Sequence, residues 1–124
     1  MQDENPYMRS AAVEALGRIG PETGEVVPAI LKTLDDPEPQ VRSAAVLALG
    51  QIGPEQQGVV EAVLDALKDQ EARVRWNAAK ALGEIGPDRD KIMKTLVNAL
   101  GDENRQVRIC VVQALGRTRS KAET

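Results

Sequence analysis

Residues 8–22 read MRSAAVEALGRIGPE, residues 41–55 read VRSAAVLALGQIGPE, and residues 74–88 read VRWNAAKALGEIGPD. A fourth copy opens at 107 with VRICVVQALGRTRS. The register is 33 residues with no insertion, and it aligns Arg9, Arg42, Arg75 and Arg108, then Leu16, Leu49, Leu82 and Leu115, then Gly17, Gly50, Gly83 and Gly116. A fixed period of this size marks a solenoid, in which no unit buries its apolar face alone and each leans on its neighbours. The period constrains the fold before any local propensity is weighed.

Each unit divides into two helical patterns. In 41–53, Val41, Ala45, Ala48, Leu49 and Ile52 share one face of a helix; Gly53 supplies a left-handed stop and Pro54 prevents continuation. In 59–67, Val59, Val60, Val63, Leu64 and Leu67 form a second stripe. Pro28 falls in the first turn of the matching helix one unit earlier, where a missing N–H has no intrahelical partner to lose. Asn5-Pro6 and Glu38-Pro39 read as cap followed by first-turn proline, and Asn104 holds the same column in the last unit. No alternating β-branched run competes. The expected fold is all-α: a single domain over 1–124, with repeats at about 8–40, 41–73 and 74–106 and a partial one at 107–119. The helix order is A1 B1 A2 B2 A3 B3 A4, with the last helix over 105–117.

Composition agrees with that reading. The chain has no Phe, one Tyr and one Trp, so its core must be built from Ala, Leu, Val and Ile. Small aliphatic residues suit close helix contact, and Ala and Leu are strong helix formers. No apolar run is long enough to span a membrane. The opening MQDENPYMRS has neither a basic nor an apolar signal region, and there is one cysteine, so a reduced, cytoplasmic setting is the expectation. Charge is uneven. Residues 1–68 carry eleven acids and five bases, whereas residues 69–124 carry eight acids and eleven bases.

The pattern VR-x-A-A-x-x-A-L-G-x-I-G, preceded by turns containing Asp36, Asp69 and Asp102, resembles the HEAT repeat, most closely the short subclass named after phycobiliprotein lyases. The resemblance covers residues 3–119. It implies a right-handed α-α superhelix, HEAT- or armadillo-like, of seven helices in about three and a half repeats. The A helices would form the convex face and the B helices the concave one. It also implies a structural ladder in which Asp36, Asp69 and Asp102 hydrogen-bond with Arg42, Arg75 and Arg108 within and between units.

Catalytic chemistry has little to stand on. The chain has no histidine, which removes imidazole acid–base work, His-activated nucleophiles and imidazole metal ligands. The same absence separates it from deoxyhypusine hydroxylases, HEAT-type enzymes whose di-iron sites rest on His-Glu pairs. One cysteine cannot build a Cys-based zinc site. Asp35, Asp36 and Glu38 form a small acidic turn, better read as solvated than as a metal site. No catalytic residue and no cofactor is expected.

Binding is the remaining class, and the expected partner is another protein or a peptide. Away from the core, the B-helix columns hold Glu25, Pro28, Ala29 and Lys32, then Gly58, Glu61, Ala62 and Asp65, then Lys91, Lys94, Thr95 and Asn98. The columns Ala29/Ala62/Thr95 and Thr33/Ala66/Ala99 are small, leaving a floor open to a partner helix or peptide. The candidate contacts are Glu25, Lys32, Glu61, Asp65, Lys91, Lys94 and Asn98, with the switch from Glu61/Asp65 to Lys91/Lys94 expected to orient the partner. The acidic half of that groove would repel a polyanion, which disfavours nucleic acid. Trp76, nearly opposite the buried stripe of its helix, is a further candidate contact or, more simply, inter-repeat packing beside Ile109. Two alternatives stand beside the scaffold: an auxiliary subunit of a bilin lyase or related cofactor-handling enzyme, implied by the resemblance alone, and a self-assembling structural repeat. The second rests on bare chain ends of opposite charge, at which Val111, Val112 and Leu115 would lose half their covering; the other reading of those ends is a piece of a longer array.

Overall fold

The computed structural model describes the backbone of residues 4–20, 24–56, 58–86 and 90–123, with side chains as far as Arg117. The described residues form seven α-helices: α1 (Pro6–Ile19), α2 (Val26–Lys32), α3 (Pro39–Ile52), α4 (Val59–Ala66), α5 (Ala72–Ile85), α6 (Asp90–Ala99) and α7 (Arg105–Glu123). A 3-10 turn, Thr33–Asp35, extends α2. There is no strand among the described residues. The order is the one expected from the repeat.

Helix starts follow the sequence in part. The Asn5 side chain accepts the Tyr7 N–H at 2.8 Å ahead of Pro6, and the Asn104 side chain accepts the Val107 N–H at 3.1 Å. Glu38 differs from expectation, because its side chain does not cap α3. Asp36 serves this turn instead, accepting the Glu38 N–H at 2.9 Å. The shorter Asp side chain reaches the backbone two residues on, which Glu in the cap position does not match.

Helix ends hold two differences. Gly53 has φ 99° and ψ 169°, an extended conformation open only to glycine rather than the expected left-handed helical one. Its N–H still closes the helix on the Leu49 carbonyl at 3.1 Å. The extended ψ also suits the residue before Pro54. The last helix runs to Glu123 rather than ending at 117. Units one to three stop at Gly-Pro, whereas unit four places Arg119 and Ser120 in those columns, so nothing breaks the helix.

The odd-numbered helices stack in a row, α1 on α3, α3 on α5 and α5 on α7, while α4 packs on α5 and α6 on α7. This gives an α-solenoid with one continuous core. Val13, Ile30, Val41, Leu49, Val63, Leu82, Leu96 and Val111 have no exposed surface. Because an inner odd helix has neighbours on both flanks as well as beneath, α3 buries Ser43, Ala44 and Val46 in addition to its periodic stripe.

Glycine sets the spacing of that row. A methyl group added at Gly17 would lie 2.8 Å from Ala48 Cβ, at Gly50 3.0 Å from Ala81 Cβ, and at Gly83 3.1 Å from Ala114 Cβ. Backbone therefore meets methyl at every joint, and a larger residue would force the helices apart.

Candidate partner-binding groove

Three arginines tie successive units together. Arg9 Nε donates to Asp36 Oδ2 at 2.7 Å, Arg42 Nε to Asp69 Oδ2 at 2.9 Å, and Arg75 Nε to Asp102 Oδ2 at 2.9 Å. In each pair Nη2 reaches the other carboxylate oxygen, so the contact is a two-pronged fork. The Nη1 group of Arg42 bonds the carbonyls of Asp36 and Pro37, and Nη1 of Arg75 those of Asp69 and Gln70. One guanidinium thus holds the turn of its own unit and the turn of the next.

Arg9 belongs to this ladder although the sequence reading left it out; its place in the Arg42 column was the available signal. Arg108 bonds the Asp102 carbonyl through Nη1 at 2.7 Å. Burial alone would raise the Asp36 and Asp102 carboxyls. The arginine hydrogen bonds, the backbone N–H donors of Glu38 and Asn104, and the nearby arginine charges outweigh it and hold both below the usual carboxylate range.

The even-numbered helices flank two recesses. One, of about 560 Å³, lies between α4 and α6 and is lined by Glu61, Asp65, Lys91, Thr95, Asn98 and Ala99 over Leu64 and Leu67. The other, of about 310 Å³, lies between α2 and α4, with Leu31, Leu34, Ala62 and Ala66 as its apolar lining and Asp35 at its rim. Asp65 lines both, so they adjoin along α4. Glu61, Asp65, Lys91 and Asn98 are thereby brought to one site. Glu25, Lys32 and Lys94 are exposed but line neither recess.

The charge switch is altered by a contact the sequence reading did not anticipate. Lys91 Nζ donates to Glu61 Oε2 at 2.6 Å across the groove. The two residues are 30 apart in sequence, on different helices, and no spacing rule within a helix points to the pair. Both side chains are about two-thirds exposed, so water screens the attraction and a partner could displace it cheaply. Asp65 and Lys94 carry what remains of the expected polarity.

Thr33 is not part of an open floor. It is buried, and its hydroxyl donates to the Ile30 carbonyl at 2.6 Å. Trp76 is part-buried and packs against the core. Its column explains the placement, since Ser10 and Ser43 occupy it in earlier units and are buried. At the C-terminal unit, Val111 is fully covered, Leu115 part-covered and Val112 57% exposed. The expected loss therefore falls on Val112, the residue turned along the row of odd helices.

Cys110 is buried, with Gln106 Nε2 3.8 Å from its sulfur. Among the described residues no group of three His, Cys, Asp or Glu side chains could hold a metal ion, and no helix is long and apolar enough to cross a membrane. Asp36 of the acidic turn is committed to Arg9.

An unbroken row of helix pairs, joined by an Arg–Asp ladder, defines an α-solenoid of helical repeats. A family model described as HEAT repeats matches residues 1–59, 27–92 and 60–124, and the chain belongs to the HEAT repeat family. No curated protein matches it. Solved structures with the same fold include the complex of CpcE and CpcF of phycocyanin lyase from Nostoc sp. PCC7120, at TM-score 0.74 and 24% identity over 94% of this chain and 72% of that one. Human deoxyhypusine hydroxylase in complex with glycerol gives TM-score 0.71 and 22% identity over 97% of this chain and 45% of that one. An engineered protein gives 0.66 and 22% over 96% and 59%. The chain thus spans about three-fifths of the engineered protein and under half of the hydroxylase. Likeness at this identity extends to the fold.

Proposed function

We propose that this HEAT repeat chain is a non-enzymatic scaffold that binds a peptide or partner helix along the face of α2, α4 and α6. The observation that carries the reading is the pair of adjoining recesses sharing Asp65, with leucine and alanine beneath and a charged rim above. That combination supplies apolar area for affinity and charge for orientation, as a helix-in-groove mode requires. Mixed charge at the rim favours a protein partner over nucleic acid, and the lone buried cysteine suits a reducing cytoplasmic setting.

The test is capture of a defined partner by the parent chain and by Glu61→Lys with Asp65→Lys. The expected result is loss of capture with thermal stability nearly unchanged, since exposed positions of this kind shift stability by about 0.5 kcal/mol or less. Undiminished capture by the double variant would contradict the reading.

A second reading draws on the neighbour whose complex joins CpcE and CpcF of phycocyanin lyase. In it this chain is the auxiliary subunit of a lyase or related cofactor-handling enzyme. An absorbance shift on adding a tetrapyrrole to the chain with its partner would favour it over the scaffold.

A further inference from the structure

The two recesses of the groove are one recess repeated, a unit apart. Leu31 and Leu64, Leu34 and Leu67, and Ala66 and Ala99 are pairs 33 residues apart in sequence. The first of each pair lines the recess between α2 and α4, and the second lines the recess between α4 and α6. Asp69 and Asp102 correspond as well, and both are held by arginines, Arg42 and Arg75. Floor and ladder are thus common to both recesses, and the rim is what differs. There the chemistry inverts: Asp35 gives way to Lys68, and Asp65 to Asn98. All four are exposed. Asp35, Asp65 and Lys68 are in no ion pair among the described residues. The first rim offers two carboxylate acceptors, and the second offers an ammonium and an amide as donors.

We infer, building on the reading that this face binds a peptide or partner helix, that the two recesses take side chains of opposite charge from one segment. Lysine or arginine enters between α2 and α4, and aspartate or glutamate enters between α4 and α6. A lysine or arginine is an aliphatic stem carrying a cationic head. Its stem lies over Leu31 and Leu34, which are only half-buried, and its head meets Asp35 and Asp65. Arg42, the cation that lines this recess, is held by Asp69 and does not oppose it. In the next recess Leu64 and Leu67 are buried, so the floor offers little apolar surface to a long stem and suits a short carboxylate side chain. Lys68 and the Asn98 amide donate to that carboxylate. Lys91 is matched by Glu61 and adds no net charge. Asp65 lines both recesses and is answered from the basic side. A segment of one sign matches one rim and is repelled at the other, so charge order fixes which way the partner lies.

The probe is a phage-displayed library of random peptides, selected on the parent and on Asp35→Lys with Lys68→Asp, which exchanges the two rims. Both positions are exposed, so circular dichroism should show the exchanged chain folded and melting as the parent does. The expected parent-selected peptides share a basic and an acidic residue at a fixed spacing, and those selected on the exchanged chain carry the pair in the opposite order. For one parent-selected peptide, fluorescence anisotropy should show that replacing its basic residue by alanine weakens binding about fivefold. The same replacement should change nothing on Asp35→Ala with Asp65→Ala, where the rim is already neutral. Peptides that shift the backbone amide resonances of α4 but share no such pair, or keep one order on both chains, would overturn the inference and leave groove binding standing. A selection yielding no peptide that shifts α4 would overturn both.

Discussion

Arg42 grips the Asp69 carboxylate with two nitrogens, Nε at 2.9 Å and Nη2 at 3.1 Å, while its third nitrogen holds the carbonyls of Asp36 and Pro37. Asp69 in turn accepts the Glu71 N–H at 2.9 Å, pinning the entry to α5. One side-chain pair therefore links the turn before α3 to the turn before α5. Replacing Asp69 by Asn should cost about 1.5–3 kcal/mol, the range for hydrogen bonds to charged groups. Arg42→Lys should cost nearly as much, because an ammonium cannot reproduce the fork. Urea unfolding of both variants checks this, and a lysine variant as stable as the parent would show that charge alone suffices.

The ladder also sets an acid limit. Asp36 and Asp102 ionise more readily in the fold than in the unfolded chain, where Asp titrates near about 3.9. Their contribution is complete above that value and is lost as pH falls through the lowered folded value. Asp36→Asn should thus be less stable than the parent near neutrality, with the gap narrowing as pH falls below about 3.9. Unfolding curves over a pH series measure it. A gap that stays constant would contradict the linkage.

A third prediction sets one substitution against itself. Gly17→Ala puts a methyl group 2.8 Å from Ala48 Cβ and should destabilise by about 1–3 kcal/mol. Gly116→Ala, with nothing within 4 Å, should stabilise by up to about 1 kcal/mol through helix propensity. Thermal melts of the two variants should move in opposite directions. Equal shifts would mean that the joint does not depend on glycine.

The Glu61–Lys91 pair should contribute less. A double-mutant cycle with alanine at both positions should give a coupling below about 1 kcal/mol that fades with added salt. A larger, salt-resistant coupling would make the pair a fixed strut across the groove and not a displaceable one.

These contrasts show where sequence is sufficient. Helix order and core columns are legible because the 33-residue period leaves each column one environment in the inner units. Columns fail at the edges. Val112 sits in a buried column yet is exposed, and α7 runs past 117 because unit four lacks the Gly-Pro stop. The groove was legible as a set of B-helix columns, but not as a shape: Thr33 turns inward to bond Ile30, and Lys91 crosses to Glu61. Both depend on where a side chain points between helices, which residue spacing does not encode. Trp76, for which sequence offered packing as the simpler of two readings, is part-buried against the core.

The central claim is that partners enter along α4 and α6. The most direct measurement places a photo-crosslinking residue at Thr95, within the groove, and separately at Lys80, exposed on α5, in cells that express the chain. The account predicts one discrete protein adduct from position 95, absent from position 80, and lost when Glu61→Lys and Asp65→Lys are added. An adduct from position 80 alone, or one from position 95 that survives the charge reversal, would contradict it.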